Sequence, residues 1–299
     1  MKFLRVLPCL ILFLSIFPWT AAAQQAASDE ERLASAKKAY STKNWEETAR
    51  IANGPAAQPS ELDYLRGMAL MHLEQWEAAR EAFSAGLGKA PKDSRFPAER
   101  AGAEYRLKDF SAAKRDLRSA LLLEPRDEYA LEFLGTIYLL EGNLEAALKY
   151  WNRIERPRLA SMAVEPKPQI KEKLVLSAIA FNAPQVLATG SWLTTEARLK
   201  NLGIFPQARM ELIPAGETDY TAVLHLSELN GLGGSKWSAL VSLLSGVPYE
   251  TVYPEWYNLG ERAINFSSLV RWDAQKRRVF AEISSPVEGR ADRVVSFFA

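Results

Sequence analysis

Apolar and small residues recur along the first half of the chain at an interval of 34 residues. Gly67, Ala101 and Gly135 form one column and Ala79, Ala113 and Ala147 another. Pro91 and Pro125 keep the same spacing, as do Trp76, Phe110 and Leu144, and Phe83, Leu117 and Trp151. Such columns predict paired helices that meet through small side chains and stop at proline. Three units follow, Ser60–Asp93, Ser94–Asp127 and Glu128–Glu155. A degenerate one, Glu31–Gln58, precedes them, keeping Tyr40 and Asn44-Trp45 but carrying Thr48 where alanine is expected.

Beyond residue 158 the periodicity changes. Arg156–Ile170 carries Pro157, Pro166 and Pro168 and predicts an extended joint, taken as a linker over 159–170. Lys173–Phe181 is a continuous apolar run and predicts a first strand, and Pro184–Thr189 predicts a short helix. Thr194 stands as the N-cap of a helix whose stripe includes Leu199 and Leu202. Gly203 follows at the left-handed C′ position, with Ile204 closing over Leu199. Ala208, Met210 and Leu212 alternate with Gln207, Arg209 and Glu211, a half-buried strand. Tyr220, Ala222, Leu224 and Leu226 make a second. After Gly231, Ser235 caps a short helix through Trp237, Leu240, Val241 and Leu244. Three alternating stretches then follow, Ile264–Trp272, Val279–Ile283 and Arg293–Phe298.

Composition narrows the function class. The 299 residues carry 37 basic and 36 acidic side chains, a balance that gives no reason to expect a nucleic-acid partner. Lys2 and Arg5 precede an apolar core, Leu10–Phe17, and Ala21-Ala22-Ala23 offers a small-residue cleavage site. Residues 1–23 are therefore expected to be a secretory signal, with periplasm or outer membrane as destination. The one cysteine, Cys9, lies inside that segment without the flanks of a lipidation site, so disulfide and thiolate chemistry are not expected of the mature chain.

The 34-residue columns resemble the tetratricopeptide repeat, and residues 29–158 are expected to form its helical solenoid. That family lines a concave groove with the first helix of each unit. The resemblance places Tyr64, Met68 and Met71 there, then Arg95, Gly102 and Tyr105, then Tyr129, Glu132 and Thr136, as peptide-contacting positions. The order strand, helix, helix, strand, strand, with Leu199-x-x-Leu202-Gly203-x-Phe205, resembles a POTRA domain over 171–229. This is the βααββ module of outer-membrane assembly factors related to BamA. Asn258–Asp273 and Lys276–Pro286 resemble the opening hairpin of the surface-antigen barrel that follows such modules, within a segment 230–299.

The fold class these resemblances imply is multidomain: an α solenoid, an α/β βααββ unit, then a few antiparallel barrel-type strands. Ile264, Phe266, Val270 and Trp272 would face lipid. A closed barrel needs at least eight strands, and only some 38 residues follow Glu261. The sequence therefore reads as part of a longer protein or as a shortened relative. The implied role is outer-membrane assembly or translocation by binding. Partners would be protein segments or unfolded outer-membrane polypeptides, captured in the repeat groove and along the edge strand Gln207, Arg209, Glu211 and Ile213. The alternative is a soluble periplasmic scaffold.

No catalytic, cofactor-binding or metal-ligating constellation emerges. His72 and His225 lack companion ligands. The carboxylate pairs Glu47/Asp63 and Asp109/Asp116 are expected on solvated repeat surfaces, and Gly231–Gly234 lacks the lysine of a phosphate loop. An enzyme is not expected.

Overall fold

The computed structural model describes residues 17–216, 219–233, 241 and 244–299. Most of the expected signal (1–16) and most of the expected Ser235–Leu244 helix lie outside the described residues. Two compact units divide the chain, Met1–Ile137 and Tyr138–Ala299.

The first unit is an antiparallel helical array: α1 (Phe17–Ser41), α2 (Trp45–Ala52), α3 (Ser60–His72), α4 (Trp76–Lys89), α5 (Arg95–Arg106), α6 (Phe110–Leu123) and most of α7 (Glu128–Leu140). Small residues let the helices approach closely, at Gly67 within the 34-residue columns and at Gly86 outside them. A Cβ on Gly67 would come within 2.4 Å of the Phe83 ring, and one on Gly86 within 2.1 Å of Phe96. Phe83 and Phe96 are fully buried. Each turn between paired helices passes through a left-handed residue, Lys43, Glu74, Lys108 and Gly142, all with φ between 57° and 76°. Asn44 and Asp109 cap α2 and α6 by accepting from the N–H groups of Glu47 and Ala112.

Two acidic residues depart from the expected solvated surface. Asp63 is 3 % exposed, accepting from Gln58 at 2.8 Å and paired with Lys89. Asp116 holds Arg100 bidentately at 2.5 and 2.7 Å. Helix packing buries both, and a dedicated cation offsets the desolvation of each.

The second unit opens with α8 (Leu144–Trp151), capped by Asn143, whose side-chain oxygen accepts from Ala146 N–H at 3.0 Å. Asn143→Ala is expected to cost about 1 kcal/mol, read as a lower urea midpoint of the Tyr138–Ala299 unit. Leu144, Ala147, Leu148 and Trp151 are buried in one core with Leu159, Leu199, Met210 and Leu224. The last helix of the repeat pattern thus belongs with the sheet, and the compact units part within α7 rather than at residue 158.

Three expectations change here. The supposed linker is strand β1 (Arg158–Glu165), which buries Leu159 and half-buries Met162 and Val164. Its prolines, Pro157 and Pro166, stand just outside its ends, where a missing N–H costs no ladder bond. Lys173–Phe181 is not a strand. It forms α9 (Glu172–Ala178), burying Leu174, Val175 and Ala178, because a short apolar run suits either element and the first strand position is already filled. Pro184–Thr189 supplies no helix but β2 (Gln185–Val186), paired antiparallel with Arg158 and Leu159.

Helix α10 (Thr189–Asn201) starts five residues before Thr194, which is an exposed interior position. Its cap comes from afar: Asn152 Oδ1 accepts from Thr189 N–H at 2.8 Å and from its hydroxyl at 2.9 Å. Gly203 is left-handed, at φ +70°, and Ile204 is fully buried. Strands β3 (Gln207–Pro214) and β4 (Asp219–Ser227) complete a sheet ordered β2-β1-β4-β3, with β1 parallel to β4 and β3 antiparallel to it.

A second sheet contains β5 (Thr251–Val252), β6 (Glu255–Leu259), β7 (Ile264–Trp272), β8 (Arg277–Pro286) and β9 (Val294–Phe298), all antiparallel. Asp273 builds the β7–β8 turn by accepting from Gln275 N–H and Lys276 N–H. A polar joint connects the two sheets. Glu228, just after β4, accepts from Gln169 N–H and Ile170 N–H and from the amide of Asn258.

Candidate functional site: a repeat groove, a free sheet edge and a two-faced sheet

The expected groove residues of α3 serve the core as much as the surface. The Tyr64 ring packs edge-on against Phe96 at 5.8 Å and is tilted on Phe83 at 6.1 Å. Met68 and Met71 are half-buried beside them. A Cβ on Gly102 would lie 3.3 Å from Met71 and 3.7 Å from the Tyr129 hydroxyl, so these three meet at one point. Arg95 is committed to Glu61 (2.9 Å) and Asp93 (2.7 Å), with its guanidinium 4.6 Å from the centre of the Tyr64 ring.

Further along, Tyr105 packs on Phe110 and Phe133, and Tyr129 on Phe133. Tyr129, Glu132, Phe133 and Thr136 line an open hollow of about 350 Å³. Two of its neighbours were not signalled by the columns, Phe133 and Glu99. Burial raises the Glu99 carboxyl above the ordinary range, helped by Asp127. Burial and then the charge of Glu99 push the Tyr64 phenol up to about 12. The groove therefore combines aromatic rings with acidic groups, while its one expected cation is already neutralised.

The second surface is the outer side of β3. β3 ends the sheet, and no described strand pairs with its far side. The turn beyond it fixes which main-chain groups are free. Ala215 N–H donates to Asp219 C=O at 2.8 Å. With the register Ile213↔Thr221, Glu211↔Val223, Arg209↔His225 and Gln207↔Ser227, the odd-numbered residues bond inward to β4. The outward N–H and C=O groups accordingly belong to Ala208, Met210 and Leu212. Pro214 occupies an outward position too, where its missing donor faces no ladder partner.

The expected edge residues Gln207, Arg209, Glu211 and Ile213 instead present exposed side chains while their main chains are satisfied. Glu211 reaches His225 at 3.2 Å across the sheet face. An open trough of about 710 Å³ runs beside β3 from Ala208 to Leu212. Its far wall is the α7–α8 turn, residues 139–145, with Trp192 and Glu196.

The third surface is the second sheet. Register places Phe266, Val270 and Trp272 on one face with Val279, Ala281 and Ile283, and Ile283 opposite Phe297. Ile264 belongs to this face as well. Trp272, Val279, Ile283, Val295 and Phe297 are each at least 40 % exposed. The other face carries Asn265, Ser267, Arg271, Arg278, Glu282 and Ser284 among a few aromatics. The division is incomplete, since Phe280 and Phe298 on the second face are 43 % and 66 % exposed and Arg277 stands opposite Trp272 on the first.

Neither histidine gains a ligand set. His72 stacks on Trp45 at 3.9 Å, and no group of three metal-binding side chains occurs among the described residues.

No protein-family model matches the chain, and no curated protein matches it. Its similarities to solved structures are to tetratricopeptide-repeat proteins. MamA is 14 % identical at a TM-score of 0.41, covering 45 % of this chain and 80 % of that one. The TPR2B domain of yeast Sti1, solved in complex with an Hsp70 peptide, is 24 % identical at 0.32, covering 32 % and 77 %. A repeat protein of Parabacteroides merdae is 18 % identical at 0.40, covering 43 % and 52 %. The chain is a helical repeat solenoid together with one mixed and one antiparallel sheet.

Proposed function

We propose that this chain is an envelope protein of the outer-membrane assembly or translocation type, working by binding polypeptides rather than by catalysis. The observation that carries the reading is the free ladder of β3. Outward main-chain groups at Ala208, Met210 and Leu212 lie along an open trough of about 710 Å³. An extended client segment would add there as a fifth strand, held by main-chain hydrogen bonds that ask little of its sequence. Leu139 and Leu140 on the opposite wall would take its apolar side chains.

Two further features support the same role. The order β1, α9, β2, α10, β3, β4, with β1 parallel to β4 and β3 antiparallel to β4, is that expected of a POTRA module with one two-residue strand, β2, added between the helices. Strands β7 and β8 are 9 and 10 residues long, a length that suits the tilted crossing of a bilayer, and they carry an apolar face. The positive and apolar N-terminus supports export. In the array, the hollow between Tyr129 and Thr136, flanked by Glu99 and Glu132, suits a partner segment mixing apolar and basic side chains.

Cross-linking tests the edge. In a chain with Cys9→Ser, Arg209→Cys is expected to form a disulfide with a cysteine-bearing peptide of alternating outer-membrane type. Thr221→Cys, on the interior strand β4, is expected to form none. Absence of any cross-link from Arg209→Cys and from Glu211→Cys alike would remove the strand-addition reading and leave a periplasmic scaffold, which fractionates with soluble contents.

A further inference from the structure

Where the apolar face of the second sheet meets the βααββ unit, three cations converge without an acidic partner. Lys171, Lys173 and Arg262, with Ser285 and Ile264, line a pocket of about 290 Å³. None of the three cations makes a side-chain ion pair or hydrogen bond among the described residues, and each is exposed. Arg271 of β7 and Arg290 in the β8–β9 connection are each closed onto a neighbouring aspartate, whereas Arg277 and Arg278 of β8 are, like the pocket cations, without an ion pair among the described residues. The Lys171 main chain is pinned, its N–H donating to Glu261 C=O at 3.0 Å, which fixes α9 against the start of β7.

Position gives this pocket its meaning. Ile264 is the first residue of β7 on the apolar face, and Ser285 lies beside it near the end of β8. Trp272 closes the same face at the other end. Eight steps of about 3.3 Å each separate Ile264 from Trp272, a length along the strand close to the height of an apolar bilayer band and shorter than it once the strand is tilted. Basic side chains thus stand at both borders of the apolar face, the pocket cations at one and Arg277, opposite Trp272, at the other, an arrangement that hydrocarbon between two headgroup layers favours.

We propose that this pocket binds the phosphate of an anionic lipid headgroup. The inference rests on the reading of β7–β9 as membrane-entering strands. It adds a charged lipid contact that orients the βααββ unit at the membrane surface. Each cation near an anionic surface contributes on the order of fivefold to partitioning, so the three together give a large and salt-sensitive increment.

The test is partitioning of the full chain into vesicles of phosphatidylcholine, with and without phosphatidylglycerol. Phosphatidylglycerol is expected to raise partitioning by tenfold or more. The triple variant Lys171→Gln, Lys173→Gln, Arg262→Gln is expected to lose that increment while binding phosphatidylcholine as before. Removing equal charge elsewhere, by Lys37→Gln, Lys38→Gln and Lys92→Gln, is expected to leave it intact.

If the triple variant keeps the full increment, the site is overturned while the membrane reading stands. If the native chain enters neither vesicle, the membrane reading itself is overturned, and the site with it. Inorganic phosphate shielding Lys171 and Lys173 from acetylation as well as short-chain phosphatidylglycerol does would overturn the lipid assignment in favour of a free anion. Should the triple variant not fold, Arg262→Gln alone is expected to lower the increment about fivefold, and an unchanged increment overturns the proposal.

Discussion

Asn258→Ala is expected to destabilise the Tyr138–Ala299 unit by about 3–4 kcal/mol. Asn258 is 7 % exposed and left-handed, at φ +55°. Its amide donates to Glu228 at 2.8 Å and to Asn230 at 2.6 Å, while its oxygen accepts from Ala263 N–H at 2.9 Å. Truncation leaves a buried N–H without a partner and takes one donor from a carboxylate that already anchors Gln169 and Ile170. Unmet buried groups cost about 1–3 kcal/mol each, and an alanine held left-handed adds roughly 1 kcal/mol. Asn258→Gly removes the amide but keeps the backbone conformation, so it is expected to recover only that last part. Urea unfolding followed by tryptophan fluorescence measures both. A loss below 1 kcal/mol for Asn258→Ala would mean that the polar joint between the sheets does not hold them.

Such a joint is hard to foresee from residue order, because its members come from positions 169, 228, 230, 258 and 263. The legible parts of this chain are those in which a local period repeats. The 34-residue columns located the paired helices, and strict alternation located β3, β4, β7 and β8. Strand β1 was hidden because prolines at both ends made its segment look like a joint. Lys173–Phe181 misled in the opposite direction, since a short apolar run carries no period to separate strand from helix. The left-handed turns at Lys43, Glu74 and Lys108 left no glycine to mark them, and only Gly142 does. Charge alone suggested solvent for Asp63 and Asp116, whereas their neighbours Lys89 and Arg100 let them sit inside. At the candidate edge, side-chain alternation identified the strand and its solvent-side residues, Arg209 and Glu211, but not which main-chain groups face outward. The groups open to a partner are main-chain atoms, and their direction depends on pairing with β4 rather than on residue type.

Glu104→Gln is expected to raise the stability of the helical array at pH 8 by on the order of 2 kcal/mol and to leave it nearly unchanged at pH 5. Glu104 lies on α5, is 7 % exposed, and its Oε2 has no hydrogen-bond partner. Burial, then the charges of Asp116 and Asp109, push its carboxyl up to about 7, against a partial pull from Arg100 and Arg115. Arg100 gives little relief because Asp116 already holds its guanidinium bidentately. The sign follows from linkage. A carboxyl whose folded pKa exceeds the unfolded value of 4.5 binds its proton more tightly when folded. Its favourable contribution is therefore complete below about pH 4.5 and disappears as pH rises through about 7. The native array should be most stable at the acidic end of the pH 5–8 window, with the fall centred between those values. Glutamine mimics the protonated form at every pH, so the variant's stability should lose that slope. Urea midpoints by far-UV circular dichroism at pH 5, 6, 7 and 8 compare the two chains, and contributions common to both cancel in the difference. Parallel curves for native and variant chains would mean that Glu104 is solvated or paired in solution, and that the α5–α6 interface carries no buried titrating acid.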